Sequence, residues 1–313
     1  MPLIEAPTER GTVRRLFYGS AELRAGWRLC IFAAIVLGLR LVRGLVVDRL
    51  SRRLDPDTLL FITLLLTIGI LLFASAVMAK LEGRKIADYG LPPRRMFSKQ
   101  FWQGTLIGFA TITALMAALR VAGAVSFAAG NPQGPAIWMH AVLYGLFFVL
   151  GGVFEEFFFR GYAVFTLSTG IGFWPAALVS STLFGALHYF SPGETAYGTF
   201  AAELFGLLQC LLLRRTGDLW MPIGLHASYN WGESFFYGAP DSGSRAPAHL
   251  LTAVFSGPDW LTGGSAGPEG SALCIPIILV VAILVVWRLR ETKYPDAAAL
   301  RKSPPNDPPA SGA

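Results

Sequence analysis

Eight apolar runs, each near the length needed to cross a bilayer, constrain this chain more than any other feature. They cover about 27–48, 57–79, 101–123, 136–160, 171–190, 197–213, 218–237 and 272–290. Runs near or above about 18 residues with few charges read as transmembrane helices. Composition agrees. Of 313 residues, 53% are hydrophobic and 15% charged, with a mean hydropathy of +0.51, whereas a soluble domain carries roughly 25% charged residues. The expected fold class is therefore all-α, a polytopic transmembrane helix bundle of about eight spans. Its first span is interrupted by Arg40 and Arg43, read as snorkelling side chains or an amphipathic end.

The polar stretches divide the chain. Residues 1–26 form a charged segment with no signal-peptide pattern, expected to be cytoplasmic. Residues 27–123 hold accessory helices and an interfacial connector, LEGRKIADYGLPPRRMFSKQ. Residues 136–237 form a core. Residues 238–271, rich in Gly, Ser and Pro, are expected as a flexible outer loop. The span 272–290 follows, and 291–313 is a Pro-rich tail expected to be disordered. Cys30, Cys210 and Cys274 show neither a paired pattern nor metal-ligand spacing. The net charge of +6 comes from basic residues flanking apolar runs, which suits a membrane surface and not a nucleic acid. One side collects Arg10, Arg14, Arg15, Arg24, Lys80, Arg84, Lys85, Arg94, Arg95, Lys99, Arg160, Arg214, Arg215, Arg288, Arg290, Lys293, Arg301 and Lys302. The other holds Arg49, Arg52, Arg53 and Arg245. Lys and Arg concentrate on the cytoplasmic side, so both termini are expected in the cytoplasm.

Against this background Glu155 and Glu156 stand out, inside the apolar run FVLGGVFEEFFF with Arg160 behind it. An ionised side chain in hydrocarbon costs at least a few kcal/mol, so such residues face a bundle interior and serve a function. Neighbours on a helix point about 100° apart, so Glu156 can pair with Arg160 one turn on while Glu155 faces elsewhere. Two later spans carry His188 (LFGALHYF) and, at i,i+4 on one face, His226 and Asn230 (IGLHASYNW). Taken singly, each has a structural reading as an interhelical hydrogen bonder. With Arg160 at the cytoplasmic interface, helix rise puts Glu155, His188 and His226 roughly 7, 11 and 12 Å deep. Three helices thus bring polar groups to one level, a site expected to open toward the cytoplasm.

Two chemistries suit such a set. A glutamate in apolar surroundings beside a histidine can deprotonate water for attack on a carbonyl, with a second histidine and an amide donating to the oxyanion. Alternatively Glu155, His188 and His226 could hold a divalent metal such as zinc with one open position. The cofactor stays open between these. Ser180, Ser181 and Ser228 are packing residues before they are nucleophiles.

The three motifs resemble one family. EEFFFR (155–160) resembles the EExxxR motif of the CAAX prenyl endopeptidase and bacteriocin-processing (CPBP, or Abi) family. FGALH (184–188) resembles its FxxxH motif, and HASYN (226–230) its HxxxN motif, in the same order. The resemblance covers roughly 136–232. It implies an intramembrane endopeptidase, often labelled a metalloprotease, in a bacterial inner (plasma) membrane. In it Glu155 and His188 activate water, His226 and Asn230 hold the oxyanion, and Glu156 and Arg160 support them. The implied partners are a membrane-associated protein or lipidated, CAAX-type peptide as substrate, and membrane lipid. A non-catalytic immunity or scaffolding protein of the same family is the alternative. An ion-coupled transporter ranks last, because no inverted repeat or paired broken helices are evident.

Overall fold

The computed structural model describes residues 23–131, 136–296 and 299–300. Most of the N-terminal segment and of the C-terminal tail lies outside the described residues. The molecule is an all-α membrane helix bundle with one small two-stranded ribbon. Its helices are α1 (Ala25–Ser51), α2 (Pro56–Glu82), α3 (Lys99–Val121), α4 (Ile137–Glu156), α5 (Ala163–Ile171), α6 (Phe173–His188), α7 (Ala196–Thr216), α8 (Trp220–Trp231), the short α9 (Asp259–Thr262) and α10 (Cys274–Arg288). Five helical stretches are long and apolar enough to cross a membrane: α1, α2, α3, the continuous Ile137–Ile171, and α7. The expectation of about eight crossings goes beyond those five.

Local chemistry sets the ends of these helices. At α2 the Asp55 carboxylate accepts the Thr58 amide (2.9 Å) and Pro56 takes the first turn, where a missing N–H costs nothing. At α7 the Thr195 hydroxyl accepts the Gly198 amide (2.9 Å), and Gly217 ends the helix in the left-handed region at φ 85°. Between helices, small residues set the distance of approach. A Cβ on Gly104 would lie 2.1 Å from the Met221 carbonyl oxygen, and one on Gly108 2.0 Å from that of Leu225. This is small-xxx-small packing of α3 on α8.

The bundle has two chemically different ends. At one end lie the 83–98 connector, the α7–α8 link and the C-terminal stretch. There Arg95 pairs with Asp218 (3.0 Å), and Arg214 donates to the Tyr294 carbonyl (3.0 Å). The start of α1 is there too, since a Cβ on Gly170 would lie 3.0 Å from that of Ala25. At the other end, β1 (Val125–Asn131) and β2 (His249–Phe255) pair antiparallel, Val125 opposite Phe255 and Asn131 opposite His249. Two sequence expectations change here. Residues 238–271 are not a featureless loop, because β2, α9 and a network of turns order them. Tyr294, in the stretch read as disordered tail, is buried against Phe173 at 5.1 Å between ring centroids.

Candidate active site

The helix beginning at Ile137 changes its winding directly after the two glutamates. Phe157–Tyr162 form a π-helical turn, with Gly161 at a non-helical ψ of −110°. Such wide turns break the regular backbone ladder and cluster at functional sites. The Phe159 carbonyl accepts instead from the Ser180 hydroxyl on α6 (2.7 Å). A Cβ on Gly161 would lie 2.5 Å from the Phe157 ring, so the turn needs a glycine there.

Behind the site is a buried lock. Glu156 is 0% exposed and Arg160 1%. One Glu156 oxygen, Oε1, accepts from Arg160 Nη1 (3.3 Å), Gln209 Nε2 (3.2 Å) and His226 Nδ1 (2.7 Å). The Arg160 guanidinium also lies over the Phe184 ring, 4.4 Å from its centroid. Gly206 makes room for it, since a Cβ there would sit 2.7 Å from Arg160 Nη2. The expected Glu156–Arg160 pair is present, and it does more than the sequence suggested. A carboxylate only accepts, so Glu156 fixes the N–H of His226 on Nδ1 and turns Nε2 toward the pocket. Arg160 is thus a core residue, held inside the bundle between Glu156 and the Phe184 ring.

In front of the lock lies a cavity of about 90 Å³, lined by Glu155, His188, His226 and Asn230. That volume holds a few waters. Glu155 is about a third exposed, and its Oε2 lies 3.7 Å from His226 Nε2. His188 donates its Nδ1–H to the Phe184 carbonyl (2.8 Å), leaving Nε2 as the free nitrogen. All four residues singled out by their motifs therefore meet in one pocket. They can position and deprotonate a water, and Asn230 can offer an amide to a developing oxyanion.

As metal ligands, Glu155, His188 and His226 do not fit. Among the described residues, the one trio of potential ligand atoms within 4.8 Å of one another is Glu233, Asp241 and Glu269. His226 keeps Nε2 free, but Glu155, His188 and His226 do not bring three ligand atoms that close together. Ser180, Ser181 and Ser228 do not line the cavity: Ser180 donates to the Phe159 carbonyl, and Ser228 to its own helix at Leu225 (3.2 Å).

Several residues of the lock and of the cavity wall were not legible from motifs. Gln209 is a lone amide in LLQCLLL, and a polar residue in such a run is itself a signal. Glu194, Asp241, Ser242 and Glu269 also line the cavity, from connections read as linkers. Burial raises the Glu194 carboxyl above its ordinary range. Burial, and then the charge of Glu269, raise that of Asp241.

Those residues fix which end of the bundle the site occupies. Residues 189–195 and 238–271 lie at the β-ribbon end, opposite Ala25, the 83–98 connector and Tyr294. Four residues of the cavity wall thus come from connections at the end opposite Ala25 and Tyr294.

With the geometry described, comparison with known families becomes informative. Residues 136–232 match the family model described as Rce1-like, type II CAAX prenyl endopeptidase Rce1-like. Over these residues the chain is similar to that family. The match spans just under a third of the chain and includes the whole EExxxR, FxxxH and HxxxN constellation. The matched stretch thus coincides with the helices that build the pocket, while α1–α3, the β-ribbon and α10 lie outside the matched residues. No curated protein matches the chain. The match supports a membrane protease at a coarse level.

Proposed function

We propose that this protein is an intramembrane endopeptidase that hydrolyses a peptide bond of a membrane-associated protein with water activated by Glu155. One observation carries the reading: Glu155, His188, His226 and Asn230, from three helices, share one water-sized cavity backed by the buried Glu156–Arg160–Gln209 lock. In this reading Glu155 takes a proton from water, with His188 Nε2 accepting the water's second hydrogen. The oxygen adds to the scissile carbonyl, Asn230 donates to the oxyanion, and Glu155 returns the proton to the leaving nitrogen. His226 has an anionic neighbour on each ring nitrogen, Glu156 at 2.7 Å and Glu155 at 3.7 Å. It can donate to the oxyanion from Nε2 only as a doubly protonated ring.

The distribution of cations supports an orientation. Lys80, Arg84, Lys85, Arg94, Arg95, Arg214, Arg215, Arg290 and Lys293 gather at the end opposite the pocket. Putting that end in the cytoplasm of a bacterial plasma membrane follows the positive-inside rule and turns the pocket to the other face. The substrate is then a lipidated or otherwise membrane-anchored segment presented from the non-cytoplasmic side. The test is cleavage of a lipidated reporter peptide by the full chain purified in detergent. Wild type is expected to cleave and a folded Glu155→Gln variant is not. Undiminished cleavage by the variant would sink the proposal.

A further inference from the structure

Three carboxylates meet at the pocket end of the bundle, outside the constellation that the motifs mark. Glu233 follows α8, in the π-helical turn Gly232–Phe236, while Asp241 and Glu269 come from the long connection to α10. One oxygen from each lies within 4.8 Å of the others. Oxygens bound to one calcium ion at about 2.3–2.6 Å lie at most about 5 Å apart, so this spacing suits a shared cation.

Glu233 supplies the independent observation. Its side chain is 0% exposed, and neither carboxylate oxygen has a hydrogen-bond partner among the described residues. Its neighbours are engaged: Asp241 accepts the Ser234 hydroxyl (3.2 Å), and Glu269 accepts both the Ser242 amide (2.8 Å) and the Ser242 hydroxyl (2.9 Å). The one basic side chain nearby in sequence, Arg245, donates to the Ala253 carbonyl (3.2 Å). Among the described residues no Lys or Arg forms an ion pair with any of the three acids. A buried carboxylate without donors or a counter-charge is costly. A bound cation removes that cost.

We infer that Glu233, Asp241 and Glu269 form a binding site for a hard divalent cation of the calcium type, which clamps the 238–271 connection onto the end of α8. The donors are all oxygen, with no imidazole or thiolate, which selects calcium over zinc. Asp241 and Glu269 also line the catalytic cavity, so the cation holds part of its wall. This inference is independent of the protease reading, since it is tested by binding and unfolding without substrate.

The experiment uses the full chain in detergent, stripped with EGTA. Terbium luminescence and its displacement by calcium report the site directly, and thermal unfolding with and without calcium reports the clamp. Wild type is expected to bind with a dissociation constant on the order of 10⁻⁴–10⁻³ M, the range of extracellular modules, and to melt higher with calcium. Glu233→Gln should weaken binding at least tenfold, lose the calcium-dependent shift, and be no less stable than wild type in EGTA. Glu269→Gln should also lose the shift, and it carries the test should Glu233→Gln fail to fold. Glu155→Gln, outside the cluster, should keep the shift. Wild type blind to terbium and to 10 mM calcium would overturn the site, as would a response unchanged in both cluster variants. A cluster held together by shared protons gives the first of those results.

Discussion

Glu155→Gln and Glu156→Gln make the same atomic change at adjacent positions, and the structure assigns them opposite consequences. Glu156 is fully buried and is, among the described residues, the sole anion paired with Arg160, itself fully buried. Removing one partner of a buried ion pair strands the other and costs about 3–5 kcal/mol. The amide keeps an acceptor oxygen for His226 and Gln209, so the loss sits near the lower bound, about 3 kcal/mol. That is a large part of a typical total of about 5–15 kcal/mol. Glu155 is about a third exposed, and its one close ionic neighbour is His226 at 3.7 Å. Its replacement should change stability by less than about 1 kcal/mol, yet cut peptide cleavage by about 10²–10⁴-fold as loss of a general base. The assay pairs denaturant unfolding in mixed micelles with reporter cleavage on the same preparations. Equal stability losses within 1 kcal/mol, or a larger loss for Glu155→Gln, would refute the separation of the two carboxylates.

Other consequences follow from the packing and from the two ends. Gly108→Leu places carbon where the Leu225 carbonyl oxygen lies 2.0 Å from an ideal Cβ; it should destabilise by about 1–3 kcal/mol or more, read by the same unfolding assay, while Gly123→Ala should not mimic it through contact, since nothing lies within 4 Å of that Cβ. Ser244→Cys, exposed beside the pocket, should react in intact cells with a membrane-impermeant maleimide when Cys30 is replaced; labelling only after lysis would reverse the proposed orientation. Because the Asp241 carboxyl is raised to about 8, the folded state holds its proton more tightly than the unfolded chain. Stability in EGTA should therefore fall as pH rises from the ordinary carboxylate range toward 8, and saturating calcium should flatten that fall; a melting temperature that rises over the window contradicts it.

The legible parts of this protein are those where membrane physics leaves little choice. Long apolar runs must become helices in a bilayer, because unpaired backbone groups are costly there, so α1, α2, α3 and α7 follow from the sequence to within a few residues. Glu155, His188, His226 and Asn230 were visible because polar residues in such runs are expensive. The third acceptor role of Glu156 was hidden: the bond from His226 spans 70 positions, and helical spacing shows only the Arg160 partner. The place of Arg160 was hidden for a related reason, since its guanidinium lies inside the bundle against Glu156 and the Phe184 ring. Glu233 was legible and passed over, three residues after Asn230 on the same apolar stretch. The 238–271 connection reads as linker by its Gly, Ser and Pro, yet those residues make its tight turns. Gly263 and Gly267, for example, adopt φ of 85° and 117° where a Cβ would meet backbone oxygens at 1.7 and 2.1 Å.

The central claim is that water, activated by Glu155, attacks the scissile carbonyl directly. A single turnover of reporter peptide in ¹⁸O-labelled water tests it, with product and enzyme analysed by mass spectrometry. Direct attack predicts one ¹⁸O in the new product carboxylate and none in the Glu155 side chain. Label in Glu155, or an unlabelled product carboxylate, would mean that Glu155 itself attacks the carbonyl, and would contradict the account.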